Sequence, residues 1–420
     1  MIKKPAETMA RKIIQTASKI AFLYALSFGC AYSYDSIDEA LKNGVSKGDV
    51  IFYGDYQGLA KGQATSIGKN LATYSYLGNT GYLLGSVGLS YTSGFYKNIR
   101  AAVGFRAATP FYNAHKNLRI PSVPNIRNGG VGDATKDFFN HNQAALAESF
   151  FEYFDGDTNI KAGRFIIPNE WINTMSDGIW IRNRSIENLM FEGFWVNDVG
   201  RIAYYQMSGF DKINPYSNFG LLNLAIKYYI AETFTIKAYT FFTPKIFTAF
   251  GAKIDGKLNI SSFFIGANVG YAYSIEGNER YSGYAHNGAV LDAKAFFGMK
   301  FFEIAAGYIH TSKDSGWGNI GIMGDSIDPF FVWGGKAIKT QKNGNLIYAS
   351  ISANVERFKF SLTYGSTSYG QSLRQNEINF STEIGFTHNV WGILNILNTH
   401  KDAINIPTTT QINGGIRLSF

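Results

Sequence analysis

Two arginines in the segment NIRAAVGFRAAT have a spacing that could serve anion binding. Arg100 and Arg106 fall on the same face of a two-residue alternation, with only Ala102 and Gly104 between them on that face. The other face is wholly apolar. A guanidinium group binds carboxylates through several parallel hydrogen bonds. If the segment is a strand, two such groups project to one side with free space around them, an arrangement suited to guiding anionic solutes.

Other charged residues extend this candidate site. Lys227 and Lys237 fall on the polar faces of two adjacent predicted strands. The segment IPNEWINTMSDGIWIRNRS falls in a predicted long connection, and it carries Glu170, Asp177, Arg182 and Arg184. An acidic loop opposite a basic wall would produce a transverse field that orients dipolar solutes such as amino acids. The alternative, which the sequence leaves open, is that these charges pair with one another structurally.

The chain shows no pattern typical of an enzyme or of a metal protein. Its histidines fall in predicted loops, turns or strand ends, and none accompanies a recognisable nucleophile motif: His115, His141, His286, His310, His388 and His400. The aspartates of segment 312–343 match no calcium-binding loop. We therefore predict no catalytic activity, no metal site and no cofactor.

The elements that must position the charged residues are strands. Aromatic residues make up 16% of the chain, glycine is abundant with 45 residues, and charged residues are only 17%. Segments such as NLIYASISANVE and FKFSLTYG alternate between a fully apolar face and a polar face. A soluble sandwich would turn the apolar faces inward, whereas a transmembrane barrel turns them toward lipid and lines its lumen with the polar faces. The export signal, the alternation of short and long connections, and the mixed polar faces favour the barrel.

The alternation predicts an all-β, transmembrane antiparallel β-barrel of 18 strands. Short turns are expected at 155–157, 197–200, 255–257 and 356–358, and long connections at 111–143, 168–185 and 312–343. The phase of the alternation changes near Ser262, which leaves the register there least certain. The predicted strands are 48–58, 80–93, 97–110, 144–155, 158–167, 186–197, 200–210, 218–231, 233–245, 247–255, 258–274, 286–299, 302–311, 344–356, 358–368, 374–387, 391–400 and 410–420.

The first 33 residues read as a cleaved signal peptide. A basic segment precedes the short apolar run IAFLYALSFG, and small residues follow it. Removing 1–33 takes away five basic residues, one acid and the only cysteine, Cys30, so the mature charge falls from +8 to +4. That small charge gives nucleic-acid binding little support, and no disulfide can form. The remaining 34–420 form one domain, in which 36–44 is predicted to be a short periplasmic helix capped by Ser36.

The C-terminal strand carries a second kind of signal. In QINGGIRLSF, apolar residues alternate with polar ones up to the last residue. Asn413, Gly415, Leu418 and Phe420 match the spacing of the terminal signal that the outer-membrane barrel-assembly machinery reads. We therefore expect a last barrel strand that carries the assembly signal; the alternative is an ordinary edge strand that ends on Phe by chance.

Taken together, these segments resemble the OprD-like porins, and more closely the Hof-type outer-membrane proteins of Helicobacter-like bacteria. The resemblance rests on SIDEALKNG leading into GDVIFYGDYQ, on KAGRFIIP (161–168), on the tripeptide 191–193, and on the terminal strand. It implies a monomeric, 18-stranded barrel in the outer membrane, in contact with lipid and lipopolysaccharide. It also implies passive diffusion of small hydrophilic solutes, an inward loop after the KAGR strand, and a ladder of basic residues. This chain departs from the family pattern at IIPNEW. The alternative function is that of an adhesin that acts through its long extracellular loops.

Overall fold

The protein is described here as a computed structural model. It covers 33–59, 80–113, 144–169, 171–172, 174–207, 209–231, 233–279, 287–313, 330, 343–369, 373–401 and 409–420. Residues 1–32 of the predicted signal peptide, Cys30 among them, lie outside the described residues, whereas Ser33 is described.

The chain forms a closed barrel of 18 antiparallel strands, as the alternation predicts. Each strand pairs with its neighbour in sequence, and the last strand pairs with the first, from Asp49 opposite Ser419 to Leu59 opposite Thr409. The barrel strands are β1 (Val45–Leu59), β2 (Thr80–Thr92), β3 (Ile99–Asn113), β4 (Ala144–Phe154), β5 (Thr158–Ile166), β6 (Met175–Asn183), β7 (Leu189–Gly200), β8 (Leu221–Ile230), β9 (Phe234–Thr243), β10 (Phe247–Ile260), β11 (Phe263–Glu276), β12 (Gly288–Met299), β13 (Phe302–Thr311), β14 (Asn345–Val355), β15 (Phe358–Tyr369), β16 (Leu373–Gly385), β17 (Val390–Lys401) and β18 (Thr409–Ser419).

Apolar side chains cover the outside of the barrel. Ile347 is 66% exposed, and Phe52 and Phe420 are 59% and 62% exposed, as are many other aliphatic and aromatic residues at alternate positions. The alternate positions carry polar groups that are buried or partly buried on the inside, among them Ser86, Asn223 and Thr363. This is the sidedness of a transmembrane barrel, with lipid-facing apolar stripes and a polar lumen.

The connections at the two ends of the barrel differ in length. Turns such as 155–157, 261–262 and 356–357 lie at the end of the barrel where β1 begins and β18 ends. In the first of these turns, Asp155 accepts hydrogen bonds from the backbone N–H groups of Thr158 (2.7 Å) and Asp157 (3.1 Å). Both bonds lower the pKa of the Asp155 carboxyl below its ordinary value, and the bond from Thr158 has the larger effect. The longer connections lie at the other end.

Two errors in the predicted strands cancel in the count of 18. Met175–Asn183 is a strand, although the sequence places it in a loop; a bulge between Asp177 and Gly178 interrupts its alternation. Conversely, 200–210 is no barrel strand. In the described residues after Gly200, it contains the two-residue strands Ile202–Ala203 and Gln206–Met207, which pair with each other, and a third short strand follows at Asp211–Lys212.

Two predicted turns are also wrong. Residues 197–200 belong to β7 and residues 255–257 belong to β10, which continues to Ile260. The turn after β10 falls at Ser261, whose φ is +51°, and Ser262. The change of phase near Ser262 therefore marks a turn and not an irregular strand.

Helical structure in the described residues is limited to α1 (Ile37–Lys42). The Ser36 hydroxyl accepts a hydrogen bond from the Glu39 backbone N–H at 3.2 Å, and Asp38 and Glu39 occupy the first turn. No helix in this part of the chain is long and apolar enough to cross a membrane. The segment docks at the terminal end of the barrel, where Ser33–Tyr34 pairs with the short strand Phe95–Tyr96.

Candidate functional site

The connection after β5 folds into the barrel. Trp171 is 3% exposed, and its ring lies 6.1 Å from that of Tyr239 and 6.4 Å from that of Phe241 on β9. Ile167 and Ile172 are fully buried beside it. The loop follows β5, and both partner rings are on β9, four strands further along the barrel. The loop therefore crosses part of the lumen and narrows it.

A second inward loop, 201–220, reaches a different part of the wall. The ring of Tyr53 on β1 lies 5.4 Å from Tyr204 and 6.2 Å from Tyr205, and the Tyr82 hydroxyl donates to the Tyr205 carbonyl at 3.3 Å. Met207 is buried in the same apolar cluster. Burial raises the pKa of the Tyr204 phenol, which therefore stays neutral at physiological pH. We call this group of four tyrosines with Met207 the tyrosine anchor.

The prediction of one inward loop over 168–185 is therefore wrong in its extent, because Met175–Asn183 is a strand. Only its first part turns inward, and Glu170 lies outside the described residues. Asp177 is on β6, where it forms a two-pronged ion pair with Arg164, with N–O distances of 2.6 Å. The Arg164 guanidinium also stacks on the ring of Phe210, 3.5 Å from its centre, so the connection after β7 covers this pair.

Basic side chains from six strands face the lumen on one side of the barrel. The register places Lys227 directly opposite Lys237, and Lys237 directly opposite Lys253. Arg182 lies beside Glu192 in the pairing of β6 with β7. We define the basic wall by its cations, which are Arg100, Lys161, Arg182, Lys227, Lys237 and Lys253.

Carboxylates within the basic wall offset part of its charge. Glu152, 3% exposed, accepts from Arg100 Nη2 at 2.6 Å, from Asn159 at 2.8 Å, and lies 3.8 Å from Lys161 Nζ. Glu192 accepts from Lys227 Nζ at 3.3 Å. With Glu148, Asp255 and Asp292 included, six cations oppose five carboxylates, so the wall keeps a net charge of +1. Buried carboxylates are stable here because each has a cationic or amide partner.

The first inward loop lies over the basic wall. Lys237 is 6% exposed, and its Nζ lies 4.9 Å from the centre of the Tyr239 ring. Trp171 packs on that same ring. Trp171, Tyr239, Lys253 and Asp292 also border one small cavity. The loop therefore contacts the basic wall where it packs on β9.

The other predicted basic residues are paired or lie at the edge. Arg106 is on the inner face of β3 and forms a two-pronged pair with Asp49 (2.9 and 2.6 Å), with a further bond to Ser86. Arg184 is exposed in the turn after β6, and its Nε lies 3.2 Å from the Met190 sulfur. The alternative of structural pairing thus describes Arg106, and Arg100 combines pairing with a place in the wall.

Sequence reasoning missed several members of the wall. Lys161 and Lys253 each occupy an inward position in their strands, which parity alone would have indicated. Glu152 and Glu192 alternate with apolar residues in the same way. Their convergence could not be read from the sequence, because it depends on which residues of neighbouring strands pair.

The four residues of the predicted assembly signal lie on the closing strand and beyond its end. Leu418 and Phe420 point outward, being 43% and 62% exposed. Asn413 points inward and accepts from Asn395 at 2.8 Å. Gly415 packs against the β1 backbone, where an added Cβ would lie 2.0 Å from the Phe52 carbonyl oxygen.

The described residues contain no group of three or more histidine, cysteine or acidic side chains placed to hold a metal ion. His310 lies near the long-loop end, where its Nδ1 is 2.9 Å from Asn345 Oδ1 and its ring stacks on Tyr308. The adhesin alternative depends on segments 111–143 and 312–343, most of which lie outside the described residues.

Comparison with solved structures identifies the architecture. OccK3 (OpdO) of Pseudomonas aeruginosa superposes with a TM-score of 0.70 at 10% identity, over 91% of this chain and 97% of the other. OccAB4 of Acinetobacter baumannii gives 0.68 at 10%, over 89% and 98%. The P. aeruginosa outer membrane protein OpdK gives 0.68 at 10%, over 90% and 99%. The chain has the fold of the OprD/Occ porins. No protein-family model and no curated protein matches it by sequence.

Proposed function

We propose that this protein is an outer-membrane porin that lets small hydrophilic solutes diffuse passively, with a preference for those that carry a carboxylate, amino acids included. A barrel of 16–18 strands is wide enough to enclose an aqueous channel, and inward loops and lumen charges then set its selectivity. The observation that carries the proposal is the basic wall, whose cations follow one another across adjacent strands of the lumen.

The wall would act as a path and not as a tight binding site. Its net charge raises the local concentration of anions, while Glu152 and Glu192 divide it into short cationic steps. A solute carboxylate can then exchange one lysine or arginine for the next without a deep energy minimum, which conduction requires. One solved relative by fold, P. aeruginosa OpdK, was crystallised with vanillate, a carboxylate, and superposes at a TM-score of 0.68 and 11% identity.

Other parts of the proposal concern export and assembly. We propose that 1–33 is removed on export and that Asn413, Gly415, Leu418 and Phe420 form the signal for the barrel-assembly machinery. The barrel would then work as a monomer in contact with lipid and lipopolysaccharide. Kinship with the Hof-type proteins of Helicobacter-like bacteria belongs to the same proposal, supported by the motifs of the sequence.

Planar-bilayer recording of the purified, folded barrel tests the function directly. We expect persistent ohmic current steps and, under a KCl gradient, a reversal potential that indicates anion preference. Addition of benzoate or glutamate should reduce the chloride current in a saturable way. A bilayer that stays silent at every protein concentration would contradict the porin function, and cation preference would contradict the role of the wall.

A further inference from the structure

The wall opposite the basic wall carries a row of polar side chains, which are hydroxyls and amides except for one carboxylate, Asp55, at its end. Pairing places Ser352 opposite Ser361, Ser361 opposite Ser381, and Ser381 opposite Asn395. The row continues through Asn413 to Asp55 on β1. We call these six residues, from six adjacent strands, the hydroxyl–amide row. With strands about 4.8 Å apart, it extends about 24 Å around the lumen.

Hydrogen bonds connect one half of the row. The Ser381 hydroxyl donates to Asn395 Oδ1 at 2.6 Å, and Asn395 Nδ2 donates to Asn413 Oδ1 at 2.8 Å. At the end, Asp55 accepts from Gln411 Nε2 at 2.7 Å. In the other half, Ser352 and Ser361 are partly exposed. Hydroxyl and amide groups both donate and accept, so this surface can exchange hydrogen bonds with a solute of either polarity.

Two ion pairs border the serine half of the row. Glu303 lies 3.4 Å from Lys294 Nζ, and Glu383 lies 3.4 Å from Lys359 Nζ. The serine half of the row therefore offers an ionic solute little net charge. The other half is next to two charged side chains, Asp55, which accepts from the neutral Gln411, and Arg417, on the same face of β18 as Asn413. A solute that carries many hydroxyl groups gains a series of partners instead.

A cavity of suitable size adjoins the row at the turn end of the lumen. Its volume is about 400 Å³, and Ser352, Ser361, Ser381, Glu303 and Glu383 contribute to its lining. Small-molecule sites begin near 300 Å³, so the space accepts a solute of one or two sugar rings.

We propose that the hydroxyl–amide row is a binding track for uncharged polyhydroxylated solutes, namely small sugars and polyols, distinct from the anion path of the basic wall. The track rests on the proposed channel function, since a solute must enter the lumen to reach it. It gives one barrel two parallel specificities, one on each side.

Sugar block of the ion current tests the track. Glucose, maltose and sucrose are added at the turn end of the folded barrel in a planar bilayer, and the half-blocking concentration is measured. The triple variant S352A/S361A/S381A removes three hydroxyls without changing the ion pairs. We expect its half-blocking concentration to rise by about fivefold to tenfold, as expected for lost hydrogen bonds. The control S366A/S368A alters the outer face of the same β15 and should leave the block unchanged.

A second measurement does not depend on the triple variant. The only cysteine of the chain is Cys30, so S361C in a Cys30→Ser background carries one thiol, on the track. Maltose should slow its reaction with a water-soluble thiol reagent several-fold, and KCl of equal osmolarity should not. Ion current without sugar block or protection would overturn the track and leave the channel intact. Absence of any ion current would instead overturn the proposed function, and the track with it.

Discussion

The basic wall and the hydroxyl–amide row lie on opposite sides of one lumen, but different interactions hold their side chains in place. In the basic wall each buried carboxylate needs charged partners, as Glu152 needs Arg100 and Lys161. In the row, serine and asparagine side chains bond to one another at 2.6 and 2.8 Å and need no counter-ion. A charged wall is therefore a network whose members depend on one another, whereas a neutral wall tolerates the loss of single members.

Each wall also supports its own inward loop. Trp171 packs on β9 within the basic wall, and the tyrosine anchor packs on β1 and β2 beside Asp55 at the end of the row. Each loop can therefore be released without the other, so the basic wall and the hydroxyl–amide row can be tested separately.

Releasing one of the two inward loops at a time should give the largest change in single-channel conductance. Replacing a buried Trp with Ala costs about 3–5 kcal/mol, enough to release a docked loop. We expect W171A to raise single-channel conductance at least about twofold and to strengthen anion preference, because Lys237 and Lys253 become accessible. Y204A/Y205A should raise conductance to a similar extent without changing ion selectivity.

Single-channel recording with reversal potentials measures both quantities. Heat-modifiable mobility in electrophoresis shows that each variant still folds as a barrel. Equal selectivity in the two variants would mean that the loops do not belong to separate walls.

Reversing two charges of the basic wall should change ion preference. We expect R182E/K227E to shift the reversal potential toward cations by about 20 mV under a tenfold KCl gradient, since the charge of the wall changes sign. The neutral variant R182Q/K227Q should give about half that shift. A shift of equal size in S352A/S361A/S381A would contradict the separation of the two walls.

The sequence predicted which side chains face the lumen or the lipid better than it predicted the loops. Parity placed Arg106 on the inner face of β3 and Phe420 on the outer face of the closing strand, because alternation in a strand depends only on neighbouring residues. It misread 200–210 as a strand, because Tyr204 and Met207 pack on an apolar patch of the lumen. A loop docked inside a barrel has buried apolar residues, just as a strand does.

The positions of side chains across strands could not be predicted. Lys161, Lys237 and Glu152 come together through register, and register is set by pairing along the whole barrel. The hydroxyl–amide row has the same origin. Its serines are ordinary residues in sequence and form a surface only when six strands align them.

Neutralising a single buried carboxylate on each side of the lumen should change ion preference less than reversing two charges does. Glu152→Gln removes a negative charge from the basic wall while keeping an amide near Arg100 and Asn159. We expect stronger anion preference, by about 5 mV under the same gradient, and a loss of about 1–3 kcal/mol in stability.

Asp55→Asn is the matched change at the end of the row. Its partner is the neutral Gln411, so we expect less loss of stability than for Glu152→Gln. Reversal potentials and denaturant-dependent unfolding in detergent compare the two variants. A larger loss for Asp55→Asn would show that the row, and not the basic wall, is the interdependent network.

The smallest effect should come from exchanging the partners of an ion pair beside the row. K359E/E383K keeps the net charge and the pairing of two partly exposed groups, which are 48% and 34% exposed. Such pairs contribute about 0–1 kcal/mol, so conductance, reversal potential and unfolding midpoint should all remain near those of the parent protein. Sugar block should also persist, because the hydroxyls of Ser361 and Ser381 are unchanged. If the exchange alone moved the reversal potential as far as R182E/K227E, local pairs on the neutral side would control selectivity, and the division of the lumen into two walls would fail.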